Sequence, residues 1–317
     1  MSELTRTVVG DDIAGARSRE VQLAITRKNA LVTLALLVFI GLLIAGWTMR
    51  RSHVSAAPDG PVLVGEARRG GLTIALPAAV ADVRIRAART PGRPIVLIDA
   101  GHGGRDPGAT GVSGNVTEKQ LTLAMASELA NLLEKRGRVR VALTREGDTY
   151  LTLDQRPAIA RHIGASLFVS LHMDSAPNPL ARGTTLYSLS EVASSVEAAR
   201  FASAENRAGE PLSSEADGSL RSILSDLALR GQMEQSAELA RRTVRRAAGR
   251  VALRPRPHQF AAFQVLRRAD TPALLVEAGY ISNVDDEVLL VTSAGRAPLV
   301  LVLAQAIEAD LAARRLR

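Results

Sequence analysis

Three short apolar runs constrain this chain more than any other feature: "PIVLIDAGH" (94–102), "SLFVSLHMD" (166–174) and "PALLVEAG" (272–279). Each is continuous instead of alternating, the pattern of a strand covered on both faces of a sheet. "VRVALT" (139–144) and "GTTLYSL" (183–189) read as two more strands. Helix-like stretches separate them, so from residue 94 onward the chain reads as an α/β domain with a mostly parallel sheet flanked by helices.

The clearest helix covers 117–136, with Leu121, Met125, Leu129, Leu132 and Leu133 at helical spacing. Thr117 and Gln120 stand in capping-box spacing at its start, and Gly137 stops it. Further helical stretches cover about 190–208, 219–248 and 295–316.

Ahead of this domain, residues 30–49 form an uncharged apolar run of bilayer-spanning length. A secretory signal has a shorter apolar region and rarely carries a 29-residue basic lead-in, so the run is read as an uncleaved transmembrane anchor behind a 1–29 tail. "VSAA" at 54–57 offers a cleavage site as the alternative. Residues 50–93, rich in Pro, Gly, Ala and Arg, read as a linker with weak structure. Basic residues are balanced on the two sides of the run, so charge does not set its orientation.

The 317 residues carry a net charge of +8 and only 3% aromatics, with no basic-aromatic interleaving. That points to an anionic partner or a solvated surface and argues against nucleic acid. There is no cysteine, so disulfides, thiol nucleophiles and Cys-ligated metals are excluded and any metal site uses His and carboxylate ligands.

In an open parallel sheet, ligands gather at the carboxyl ends of the strands. The three apolar runs deliver His102, His172 with Asp174, and Glu277 to that edge, and Glu118 joins them at the start of the 117–136 helix. Two imidazoles and a carboxylate suit zinc with one position left for water, and a further carboxylate can move protons. Singly, each has a structural reading: His102 as a polar cap, Glu118 as a partner of the helix dipole, Asp174 as a loop cap. Glu277 is different, because a carboxylate at a buried strand end needs a partner. His53, His162 and His258 have no partner motif.

With these residues collected, residues 94–317 resemble the zinc-dependent N-acetylmuramoyl-L-alanine amidases of the amidase-3 type. "IDAGHGGRDPGATG", "TEKQLTLAMASELANLL", "LTREGDTYLTLDQR", "LFVSLHMDS", "RGTTLYSLS" and "LLVEAGYISNVDDEVLL" match that family's blocks in order. The departures are Ala100, where the family often has proline, and Met173 after the second histidine. The resemblance implies cleavage of the amide between N-acetylmuramic acid and the L-alanine of the peptidoglycan stem peptide. It implies zinc on His102, Glu118 and His172, Glu277 as catalytic acid/base, and an additional metal contact at Asp174. A zinc peptidase cutting elsewhere in the stem peptide and a non-catalytic wall-binding module are the alternatives.

Residues 202–242 further resemble the inserted helix that plugs the site in periplasmic cell-division amidases, which places a regulatory segment over about 190–245. By that resemblance Glu205 is the inhibitory zinc ligand of the resting enzyme, and a LytM-type protein is the activator. A wall substrate puts residues 1–29 in the cytoplasm and the catalytic domain in the periplasm, tethered to the inner membrane by residues 30–49.

Overall fold

Apolar composition decides the centre of the sheet. β1 (Ile95–Ala100), β3 (Leu167–Asp174) and β6 (Ala273–Tyr280) are buried at every residue, as strands covered by helices on both faces must be. The computed structural model describes residues 83–207 and 220–315. There β2 (Arg140–Leu143), β4 (Thr184–Leu189) and β5 (Leu253–Ala261) complete one sheet of order β2-β1-β3-β6-β4-β5. Every neighbouring pair is parallel except β4 with β6.

Helices α1 (Glu118–Arg136), α4 (Leu220–Ala247), α6 (Val284–Val291) and α7 (Ser293–Arg314) share one core, through Met125, Leu239, Leu290 and Leu303 among others. The core on the other face takes in α2 (Gln155–His162), α3 (Val196–Asn206) and α5 (Gln264–Arg267), through Ile159, Ala202 and Leu266. α1 has the expected ends: Gln120 Oε1 accepts the Thr117 N–H at 2.9 Å, and Gly137 closes the last turn at φ 65°.

Four elements depart from the sequence reading. β5 was not expected, because Pro255 and Pro257 interrupt "LRPRPHQFA"; it lies at the sheet edge, where a missing N–H leaves no ladder bond unmade. His258 therefore sits in a strand and shares a 2.8 Å hydrogen bond with Ser188 Oγ. The short helices α5 and α6 were also missed; α6 buries Asp286 and Glu287 and exposes Val284 and Val288, against the usual apolar-in pattern. The last residues assigned to the linker belong to the domain: Arg86 and Val141 exchange backbone hydrogen bonds of 2.7 and 3.2 Å.

The segment over 190–245 comprises α3 and most of α4, with 208–219 outside the described residues. The second half of α4 is core, since Leu239 and Ala240 are buried against the sheet. Residues 1–82, including the expected tail, the 30–49 anchor and most of the linker, also lie outside the described residues. Among the described residues no single helix is long and apolar enough to cross a membrane.

Candidate metal centre

β1 ends at Ala100, and the chain then turns through Gly101 and His102. His102 has φ 59°, a left-handed conformation that non-glycine residues seldom adopt. Two buried arginines hold this turn. Arg156 donates to the carbonyls of Ala100 (2.8 Å) and His102 (2.9 Å), and Arg145 to those of Ala100 (3.0 Å) and Gly101 (2.9 Å). Arg156 also pairs at 2.8 Å with Asp99, which is fully buried and accepts from Ser170 Oγ (2.7 Å) and Thr144 Oγ1 (2.8 Å). Burial alone would raise the Asp99 pKa; Arg156 and Ser170 outweigh it and hold the carboxyl below its ordinary range.

The turn delivers the imidazole to a cluster. His102 Nε2 lies 3.0 Å from Glu118 Oε1, and His172 Nδ1 lies 3.1 Å from the same oxygen. One ligand atom from each of these three side chains fits within 4.8 Å of the others. His102 Nε2 is buried and has no hydrogen-bond partner despite its closeness to Glu118, because the approach is out of line. Nδ1 donates to Asp106 Oδ2 at 2.8 Å, and Nε2 is the nitrogen that faces the cluster.

Glu118 is held by its own helix start. It is the first residue of α1; its Oε2 accepts the Ala109 N–H (3.0 Å) and its Oε1 the Met173 N–H (3.0 Å). Two glycines make room: a Cβ on Gly101 would come within 2.5 Å of the His172 ring, and one on Gly108 within 2.6 Å of Glu118 Oε2.

The electrostatics favour a cation. Burial would lower the pKa of His102, but Glu118, Asp106 and Glu205 outweigh it and push it up to about 10. Burial opposes ionisation of Glu118, yet the two imidazoles hold its carboxyl far below the ordinary range. An orphaned imidazole nitrogen converging with a second imidazole and an ionised carboxylate fits a divalent metal of the His/carboxylate class, zinc included.

Glu277 faces His172 across the β3–β6 ladder. It is fully buried, and neither carboxylate oxygen has a hydrogen-bond partner. Burial, reinforced by Asp174, Glu118 and Glu205, raises its pKa well above the ordinary carboxylate value.

Glu205, near the end of α3, reaches the cluster: its Oε2 is 3.4 Å from His172 Nδ1 and 4.0 Å from His102 Nε2. Burial raises its pKa as well, with Glu118 adding to the rise and His172 opposing it. The space left between His102, His172, Glu205 and Tyr150 is a cavity of only about 20 Å³. α3 is pinned there by Asn206, which donates to Ala262 O (2.8 Å) and accepts from Gln264 N–H (2.9 Å). Phe201 stacks on Tyr187 with ring centroids 5.4 Å apart.

Asp174, expected as an additional metal contact, is not drawn into the cluster. It ends β3 opposite Tyr280 and caps the Ser175 N–H at 2.7 Å, and burial pushes its carboxyl up to about 6. Sequence reasoning missed Asp106, Asp99, Arg145 and Arg156. Only Asp106 had a local signal, its place four residues after His102 inside the glycine-rich turn.

Residues 96–309 match the family described as N-acetylmuramoyl-L-alanine amidase, Amidase_3. The chain belongs to that family. It is 35% identical to the N-acetylmuramoyl-L-alanine amidase AmiA of Escherichia coli K12 over 226 residues, which is 70% of this chain and 78% of AmiA. It is 34% identical over 203 residues to AmiC of Neisseria meningitidis serogroup B, covering 62% of this chain and 48% of that protein. The solved N-acetylmuramoyl-L-alanine amidase of Clostridium difficile 630 shares the fold, with TM-score 0.50 and 24% identity over 69% of this chain and 97% of that one. The matched residues include this amidase's His102, Glu118, His172 and Glu277, at its strand ends and at the start of α1.

Proposed function

We propose that this amidase hydrolyses the amide between N-acetylmuramic acid and L-alanine in peptidoglycan, in a resting form closed by its own α3. The observation that carries this reading is the convergence of His102 Nε2, His172 Nδ1 and Glu118 Oε1 beside a buried, unpartnered Glu277. His102, Glu118 and His172 would hold zinc, which when bound supplies Lewis acidity to a water and to the scissile carbonyl.

The rest of the chemistry belongs to the chain. Asp106 keeps a proton on His102 Nδ1, so Nε2 is the nitrogen that would give up its proton to ligate a metal. With the charge of a bound metal offsetting the acids beside it, Glu277 would accept a proton from the attacking water and return it to the departing L-alanine nitrogen, and its apolar strand end excludes bulk water from that transfer. Arg145 and Arg156 hold the His102 turn and take no proton.

Self-inhibition is supported by Glu205, which occupies the side of the cluster a substrate carbonyl needs, and by the absence of room for a sugar-peptide beside it. Opening the site requires the Asn206 clasp to be released and Phe201 to leave Tyr187. An activator protein of the LytM type is the agent the family resemblance suggests. The 30–49 anchor would hold the catalytic domain on the outer face of the inner membrane, where its work is the separation of wall material.

Product analysis tests the reading. Sacculi digested with the Glu205→Ala form, chelator-stripped and then zinc-reloaded, should yield intact glycan and stem peptides with free amino-terminal L-alanine, detected by mass spectrometry. Cuts within the stem peptide would instead make this a peptidase, and no release from the reloaded Glu205→Ala form would make it a non-catalytic wall-binding module.

A further inference from the structure

A second charged feature lies at the other end of the domain. Where β1 and β2 begin, the last turns of α1 and α7 enclose a groove of about 530 Å³, lined by Arg93, Arg136, Arg138, Arg246 and Arg315. Glu308 is the single acid in that lining, and it is already engaged: it accepts from Arg136 Nε at 2.8 Å and from Arg138 Nη1 at 3.1 Å. Among the described residues Arg93 and Arg246 have no acidic partner, and Arg93 Nε is buried without an acceptor. Beyond Arg246 and Ala309 the arginine surface continues as a shallow depression bordered by Arg242, Arg245 and Arg250.

A buried guanidinium N–H without an acceptor, ringed by further arginines, calls for an oxygen-rich anion, and the planar fork of arginine matches phosphate in two-point contact. The orientation narrows the source. α1 begins at Glu118 in the metal centre and ends at Arg136 in the groove; its 19 residues, at about 1.5 Å each, separate the two by roughly 27 Å. β1 spans the same distance in the opposite direction, from Pro94 in the groove toward His102. A metal centre turned to the wall therefore turns the groove to the opposite side, where an enzyme held by residues 30–49 faces its membrane.

We infer that this arginine groove docks the catalytic domain on the bilayer through the phosphate headgroups of anionic phospholipids, with the metal centre directed away from the membrane. The inference rests on the wall-directed reading above and on the 30–49 anchor. Stem-peptide carboxylates are the competing occupant.

The chain has no cysteine, so single fluorescent labels can be placed at will. Ala309→Cys puts one at the groove and Asn115→Cys puts one beside the start of α1, both at exposed positions. The full-length protein is reconstituted in nanodiscs of phosphatidylcholine, with or without phosphatidylglycerol, containing lipid with a nitroxide headgroup. The label at 309 should be quenched in the phosphatidylglycerol discs and not in phosphatidylcholine alone, and the label at 115 in neither.

Arg93→Gln with Arg246→Gln should lower the docked-to-free ratio about 30-fold, at about 1 kcal/mol per basic residue near an anionic surface and 1.4 kcal/mol per tenfold. High salt, which screens without altering the chain, should give the same loss in the unsubstituted groove. Equal quenching in both lipids, quenching at 115, insensitivity to salt, or protection of the 309 label by sacculi overturns the inference. Failure to co-elute with phosphatidylcholine discs sinks the anchor alone, and docking is then read from the phosphatidylglycerol discs. Absence of sacculus hydrolysis by the zinc-loaded Glu205→Ala form sinks the enzymatic reading and leaves the quenching interpretable.

Discussion

Replacing Arg156 with methionine should cost this protein both stability and metal affinity, for reasons that can be counted. Arg156 makes four contacts: Asp99 Oδ1 and Ala100 O at 2.8 Å, His102 O at 2.9 Å and Leu151 O at 3.2 Å. Removing one partner of a buried ion pair costs about 3–5 kcal/mol, because the other charge is left uncompensated. Asp99 keeps only Ser170 and Thr144, neither of them charged. His102 also loses a bond holding its left-handed turn, a conformation that costs of order 1–3 kcal/mol where nothing enforces it. Urea unfolding of the metal-free protein should therefore show a loss of about 3–5 kcal/mol, and chelator competition a zinc affinity about 10–100-fold weaker.

The pH dependence separates this mechanism from a simple packing defect. In the parent protein the folded-state pKa of Asp99 is depressed, so its contribution is present above the unfolded value near 4 and is lost as pH falls through the folded value. In Arg156→Met, burial is left without its counterweight, the Asp99 pKa rises above the unfolded value, and the variant should gain stability on mild acidification. Asp99→Asn combined with Arg156→Met should be less destabilised than the single change. A single variant within about 0.5 kcal/mol of the parent, with unchanged zinc affinity, would refute the reasoning.

Three further outcomes are expected. Glu277→Gln should retain stoichiometric zinc by elemental analysis while sacculus hydrolysis falls about 10²–10⁴-fold; loss of metal along with activity would remove Glu277 from proton transfer. Glu205→Ala should hydrolyse sacculi faster than the parent without any added protein, and equal or lower activity in a folded variant contradicts the resting closure by α3. Gly108→Ala should bind zinc more weakly than the parent in chelator competition, since its Cβ meets Glu118 Oε2 at 2.6 Å and its φ of 65° suits glycine alone; parent-like affinity would mean that Glu118 is not held where the structure has it.

Much of the fold was legible because β1, β3 and β6 are covered on both faces and so leave unbroken apolar runs. His102, His172 and Glu277 were legible for the same reason: a polar residue that ends such a run stands out. Glu118 needed only the capping signal of α1. β5 was hidden by Pro255 and Pro257, which an edge strand tolerates. Asp99 and Arg156 could not be paired from the sequence, since 57 positions separate them and each alone reads as ordinary. Glu205 was reached through family resemblance, and its approach to His172 depends on how α3 packs through Phe201, a tertiary contact without local trace. Asp174 shows the reverse case: a residue of the right type, two positions after a ligand, whose Oδ1 accepts the Ser175 N–H and which does not join the His102–Glu118–His172 group.

The central claim, that these side chains form one metal centre closed by α3, is tested most directly by anomalous diffraction at the zinc edge from crystals of the zinc-loaded full-length protein. The account predicts a single peak about 2.0–2.2 Å from His102 Nε2, His172 Nδ1, a Glu118 oxygen and a Glu205 oxygen. A peak at any other set of ligands, or none at full zinc loading, would contradict it.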